Sequence, residues 1–91
     1  MNYKIILSPL ADKDIQTLKR SEPQAYKKVL KLLEELQEHP YTGTGHPKPL
    51  GEDKANQWSR RITKKHRLVY QIDGEKIIVL VLSVYGHYND K

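Results

Sequence analysis

Thirteen residues, WSRRITKKHRLVY from Trp58 to Tyr70, hold five lysines and arginines and one histidine. No acid lies between Asp53 and Asp73. Such a density of cations suits phosphate. The planar arginine fork can meet two oxygens at once, and lysine adds a point charge. The cations alternate with Trp, Ile, Thr, Leu, Val and Tyr, residue types that favour strands. An arginine on a strand is held more rigidly than one on a tail. Side chains alternate along a strand, so Ser59, Arg61 and Thr63 share one face and Trp58, Arg60 and Ile62 the other. On the next strand Leu68, Tyr70 and Ile72 oppose Arg67, Val69 and Gln71. Wherever Leu68 and Tyr70 enter the core, Arg67 emerges on the open face. The competing explanation is solvation, since lysines on an exposed sheet also discourage edge pairing. Lys64 and Lys65, at a turn, fit that explanation best.

Proton transfer needs a different residue, and histidine alone titrates near neutral pH without perturbation. Of the four histidines, His39 precedes Pro40 and reads as a helix end. His46 lies in a loop, and His66 faces away from Arg67 on a regular strand. His87 sits near the C-terminal end, where position alone argues for no role. The chain has no cysteine, which excludes disulfides, thiolate metal sites and cysteine nucleophiles. No histidine pair has the spacing of a zinc site with acids, so no metal or other cofactor is expected.

These residues must be positioned by a small scaffold. A chain of 91 residues has room for one domain, expected over 1–91. The net charge of +5 favours an anionic partner. MNYKIILSPLADKD lacks the basic segment and long apolar run of a signal peptide, and the apolar run Ile77–Leu82 is too short to span a membrane. A cytoplasmic protein with no membrane partner is expected.

NYKIIL, residues 2–7, alternates as a strand, with Tyr3, Ile5 and Leu7 on one face. Ser8 can cap a helix that has Pro9 at its first position and Asp12 and Asp14 at its positive end. Ala11, Ile15 and Leu18 form its apolar stripe. Ser21 and Gln24 have capping-box spacing for a second helix. Its buried face is expected at Tyr26, Val29, Leu30, Leu33 and Leu36, with Lys27, Lys28, Lys31, Glu34 and Glu35 in water. The helical hairpin is placed at 9–20 and 22–38. Residues 40–57, with three Pro and three Gly, read as a long functional loop with a short strand near Lys48–Leu50. Strands follow at Trp58–Thr63, Arg67–Ile72 and Lys76–Tyr85. Asp73-Gly74 signals a type I′ turn between the last two. On the final strand Ile78, Leu80, Leu82 and Val84 oppose Ile77, Val79, Val81, Ser83 and Tyr85. The fold class is α+β, an N-terminal strand and a helical hairpin packed on one face of an antiparallel, twisted sheet.

GTGHPKPL, WSRRITKKHRLVYQI and the terminal YGHY together resemble the YoeB branch of the RelE-like bacterial toxins. The resemblance covers nearly the whole chain, and the long WSRRIT..HRLVY stretch makes it specific. It implies a toxin of a type II toxin–antitoxin system, acting as an mRNA endoribonuclease in the A site of the 70S ribosome and inhibiting translation. It also implies a cognate antitoxin, YefM- or Phd-like, whose disordered segment folds onto the toxin, operator DNA bound only through that complex, and a homodimer.

Carried over residue by residue, the family's arginine falls on Arg67 and its terminal histidine on His87, followed by Tyr88. Metal-free RNA cleavage uses the substrate's 2′-OH as nucleophile. A base takes its proton, a cation steadies the phosphorane and an acid protonates the leaving 5′ oxygen. The resemblance makes Arg67 the cation and His87 the acid, with Tyr88 stacking on a base or orienting the phosphate. Arg61, Arg60, Lys54 and His46 are candidates for substrate binding. The family's acidic residue, between the two prolines of the loop, falls on Lys48, a charge reversal. A lysine is ordinarily protonated at neutral pH and cannot accept a proton. Lys48 could act as a second electrostatic clamp or, deprotonated, as the base. Glu52 in the same loop could serve as base instead. Or the chain could be a catalytically weakened module that still binds RNA and antitoxin.

Overall fold

The computed structural model describes residues 2–50, 56–76 and 78–84. The elements run β1 (Lys4–Leu7), α1 (Pro9–Ser21), α2 (Pro23–Leu36), β2 (Lys48–Pro49), β3 (Gln57–Arg61), β4 (Arg67–Asp73) and β5 (Ile78–Ser83). The strands form one sheet in the order β1-β5-β4-β3-β2. The expected α+β arrangement holds, with both helices on one face. The sheet is mixed: β1 pairs with β5 in parallel, and the other pairings are antiparallel. β1 is joined to β5 through the rest of the chain and not by a hairpin, so nothing local fixes its direction.

α1 is anchored to β5 at both its start and its second turn. The Ser8 hydroxyl accepts from Ala11 N (3.0 Å) and donates to Leu82 O (2.9 Å). Asp14 accepts from Val84 N at 3.0 Å. Ala11, Ile15 and Leu18 are buried, as their spacing predicts. α2 buries Ala25, Val29, Leu32 and Leu36. Leu30, expected inside, is 46% exposed. α2 is apolar over more than one stripe, so its periodicity does not choose the centre of the buried face. The expected capping box is absent. Pro23 occupies the first turn and makes Glu22 the cap residue, while the Ser21 hydroxyl donates back to Thr17 O.

Buried Leu68, Tyr70 and Ile72 on β4 and Val79 and Val81 on β5 form the sheet side of the core, with Ile62 from the segment after β3. A register shift between Val69 and Tyr70 pairs Val69 with Ser83 but Tyr70 with Val81, leaving Leu82 as an extra residue. This bulge inverts the alternation beyond it, and Val84 enters the core instead of sharing the face of Leu80. The β4–β5 connection is not the expected type I′ turn. Gly74 lacks the positive φ that such a turn demands. The Asp73 carboxylate instead accepts from the N–H groups of Glu75 and Lys76, both at 3.1 Å.

Candidate functional site

The candidate site is built by strand register on the sheet face opposite the helices. Lys48 pairs with Ser59, Ser59 with Val69, and Val69 with Ser83. Directly paired residues point the same way, so this row lies on one face. Arg61 pairs with Arg67 in the adjacent row. Lys48 therefore lies diagonal to Arg61, at roughly 7–8 Å between their Cα positions. Lys48 and Arg61 are exposed and Arg67 is half-buried. Among the described residues none of the three enters an ion pair. Like charges directly opposed on a sheet repel. The pairing of Arg61 with Arg67 is therefore an arrangement that an anion would relieve.

Local chemistry fixes the two arginines. β3 ends at Arg61 because the chain turns. Ile62 N and Thr63 N donate to His66 O at 2.9 and 3.2 Å, and the Thr63 hydroxyl accepts from Lys65 N and His66 N at 3.2 and 3.1 Å. His66 is buried, and its Nε2 lies 2.9 Å from a Glu22 carboxylate oxygen. That contact pins the hairpin tip to the junction of the two helices, next to Arg67. The His66 hydrogen bond, then the charges of His66 and Lys65, hold Glu22 below the usual carboxylate range against its partial burial.

Arg60 corrects the sequence-based reading. Expected among the substrate-binding cations, it is fully buried. Its five N–H groups are all engaged. Nε donates to the Tyr70 hydroxyl (3.1 Å). Nη1 donates to Glu35 Oε1 (3.1 Å) and Thr44 O (3.2 Å). Nη2 donates to His39 O (2.5 Å) and Thr42 O (2.7 Å). No donor remains for a ligand. Tyr70 passes its own proton on to Pro40 O at 3.0 Å. Burial pushes the Tyr70 hydroxyl above its ordinary value, with Arg60 opposing.

Glu35, expected in water, closes this network. It accepts from the Thr44 hydroxyl (2.7 Å) and Thr44 N (2.9 Å) as well as from Arg60. The Thr44 hydroxyl bond, with the Thr44 N–H and Arg60 adding to it, holds Glu35 below the usual carboxylate range against burial. The spacing of Gly43 and Gly45 now has a physical reason. Both have positive φ, +118° and +89°. A Cβ on Gly43 would fall 2.5 Å from Glu35 Oε1, and one on Gly45 2.9 Å from Arg61 O.

His46 is exposed, with φ of 52°, one residue beyond the Gly45 carbonyl that accepts from Arg61 N at 2.7 Å. The structure thus brings Lys48, Arg61 and Arg67 onto one face with His46 close by, and removes Arg60 from it. Lys54, Glu52, His87 and Tyr88 lie outside the described residues. A cleft lined by Tyr41, Asn56, Gln71, Ile72, Asp73, Gly74 and Glu75 lies at the far end of β4 from Arg67. Its two carboxylates disfavour phosphate. The sequence signal for the Arg60 network was parity: Arg60 shares the face of Trp58 and Ile62, and a charge on an apolar face requires a partner.

The sequence profile of the YoeB-like toxins of bacterial type II toxin–antitoxin systems matches residues 8–88. The chain belongs to this family. It is 32% identical to Toxin YoeB of Escherichia coli K12 over 76 residues, 84% of this chain and 90% of that one. The YoeB/ParE toxin from Agrobacterium tumefaciens superposes with a TM-score of 0.85 at 32% identity, covering 93% of this chain and 99% of that one. YoeB from Staphylococcus aureus, solved as a dimer, gives 0.82 at 29% identity over 97% of this chain and all of that one. The same toxin in complex with YefM gives 0.80 at 29% identity, with the same coverage. Family and fold agree with the resemblance carried by GTGHPKPL and WSRRITKKHRLVY.

Proposed function

We propose that this toxin is a ribosome-dependent mRNA endoribonuclease, acting in the cytoplasm on codons exposed in the A site, without a metal. The observation that carries the reading is the sheet face opposite the helices, where register gathers Lys48, Arg61 and Arg67 with no carboxylate paired to them among the described residues. Preorganised cations aimed at a phosphate stabilise the charge that builds on a phosphorane. Arg67 is assigned that role, with Arg61 and Lys48 flanking the phosphate, and His46 and Lys54 are assigned backbone contacts. His87 is the general acid and Tyr88 the group that stacks on a base or orients the phosphate. Lys48 acts as an electrostatic clamp or, deprotonated, as the base, and Glu52 is the alternative base.

The S. aureus complex supports a YefM-like antitoxin as a partner, to which blocking of this face is assigned, and the dimer of that toxin supports self-association. Operator binding would come through the antitoxin complex. The second reading, a weakened module that binds RNA and antitoxin without cutting, is favoured by Lys48 standing where the family resemblance leads one to expect an acid.

The test is cleavage of mRNA on programmed ribosomes. His87→Ala and Arg67→Ala should each reduce the rate by about 10²–10⁴ while ribosome binding falls much less. Lys48→Ala should lower it if Lys48 is clamp or base, and Glu52→Ala if the base is displaced. A wild-type protein that binds programmed ribosomes but leaves the mRNA intact would establish the weakened module instead.

A further inference from the structure

We propose that Arg60, Glu35 and Thr44 are positioning residues that set the register of β2 and so place Lys48 on the cationic face. The inference rests on the cleavage reading and extends it to residues that touch no substrate.

β2 is only two residues long, pairing Lys48 with Ser59 and Pro49 with Trp58. Proline cannot donate to the ladder, so so short a strand has little hold on its own register. Yet register decides everything here. A slip of one residue would turn Lys48 to the other face, away from Arg61 and Arg67. Beyond the Leu50 N–H, which donates to Gln57 O at 2.9 Å, the hold comes from the preceding loop. There the carbonyls of His39, Thr42 and Thr44 converge on the single Arg60 guanidinium, which fixes the orientation of three peptide planes. Glu35 grips Thr44 through both its backbone N–H and its hydroxyl. One residue later the Gly45 carbonyl receives the Arg61 N–H at 2.7 Å. Only His46 and Pro47 then separate this anchored point from Lys48. Arg60 holds the loop with its side chain and Arg61 with its backbone, so consecutive residues of β3 fix the loop to the strand that carries the site. Lysine could not replace Arg60, because a point charge with three donors cannot reproduce a five-donor planar fork.

The decisive variants are Thr44→Val, which removes the hydroxyl bond to Glu35, Thr44→Ser, which restores it, and Arg60→Lys. Each is compared with wild type for thermal unfolding, for Kd on mRNA-programmed ribosomes, for single-turnover cleavage, and for amide exchange at Arg61. Folded Thr44→Val should cleave about 10–100-fold more slowly with Kd changed by less than about 3-fold, because a misplacement near 1 Å suffices for such a loss. Its Arg61 amide should exchange faster, and Thr44→Ser should recover both. Arg60→Lys, if folded, should show the larger loss; if it does not fold, the Thr44 pair decides. Wild-type cleavage by Thr44→Val, or a loss that Thr44→Ser fails to repair, overturns the positioning role and leaves the functional reading intact. A folded wild type that does not cleave at all overturns the functional reading, and this one with it.

Discussion

Arg60 and Arg61 are consecutive residues of one strand, and they live in opposite environments. Arg60 is fully buried with every N–H satisfied; Arg61 is exposed and opposes another arginine. The pleat alone separates them. On the helix side a charge is tolerated because oxygens surround it, and it organises the loop. On the open side charges are left facing one another, a local cost that suits a surface awaiting an anion. The same residue type serves architecture on one face and, in the function proposed above, recognition on the other. Sequence density of charge cannot reveal that division; parity can.

The contrast should appear first in stability. Arg60→Met would leave three carbonyls without this donor and would remove the guanidinium from Glu35 and the Tyr70 hydroxyl. Breaking such a buried pair should destabilise the fold by about 3–5 kcal/mol. Arg61→Gln should change stability by less than about 0.5 kcal/mol, or raise it slightly by relieving Arg67. Urea denaturation of the two variants makes the comparison, and equal losses would break it. Next in size comes the loop. Gly45→Ala forces a side chain into positive φ against Arg61 O and should cost about 1–3 kcal/mol. A Gly45→Ala protein as stable as wild type would show that the loop is not held as described.

Much of this was legible beforehand, for identifiable reasons. α1 and the placement of Arg67 followed from local alternation, because Leu68 and Tyr70 have no other side to bury. The same alternation puts Arg60 beside Trp58 and Ile62, while its charge alone points to the surface. Its partners could not be read at all: Glu35 lies 25 residues away, on a helix face whose period points to water. Closure of a loop by one guanidinium leaves no periodic trace. The parallel pairing of β1 and the bulge at Leu82 are equally non-local, and both depend on what the chain meets only after folding. The glycine spacing is visible as a motif, but its reason, room for Glu35 and Arg61, lies in contacts that form only on folding.

Recognition should separate the faces more finely. Affinity for a 2′-deoxy-substituted RNA oligonucleotide should fall with salt, and each of Lys48→Gln, Arg61→Gln and Arg67→Gln should lower the slope of log K against log salt by about 0.7. Lys64→Gln and Lys65→Gln, at the hairpin tip, should change it less. If the tip lysines carry the larger share, the recognition surface is the turn and not the sheet.

The smallest effect sharpens the comparison through pH. Glu35 holds the loop at one end of α2, and Glu22 holds the hairpin tip beside Arg67 at the other. Both carboxyls sit below their ordinary value in the folded state, Glu35 chiefly through the Thr44 hydroxyl and Glu22 chiefly through His66. A depressed carboxyl binds fewer protons folded than unfolded, so its contribution is present above the unfolded value, about 4.3. That contribution is lost as pH falls through the folded value. The wild type should therefore lose stability below about pH 4.3, and Glu22→Gln and Glu35→Gln should each flatten part of that decline. The two lie about 20 Å apart along the helix, so their effects should add. Urea midpoints between pH 3 and 7 check this. Unchanged slopes in both variants would mean that neither carboxylate is fastened as the geometry indicates. A change in Glu22→Gln alone would leave the hairpin tip held and the loop free of the Arg60 network.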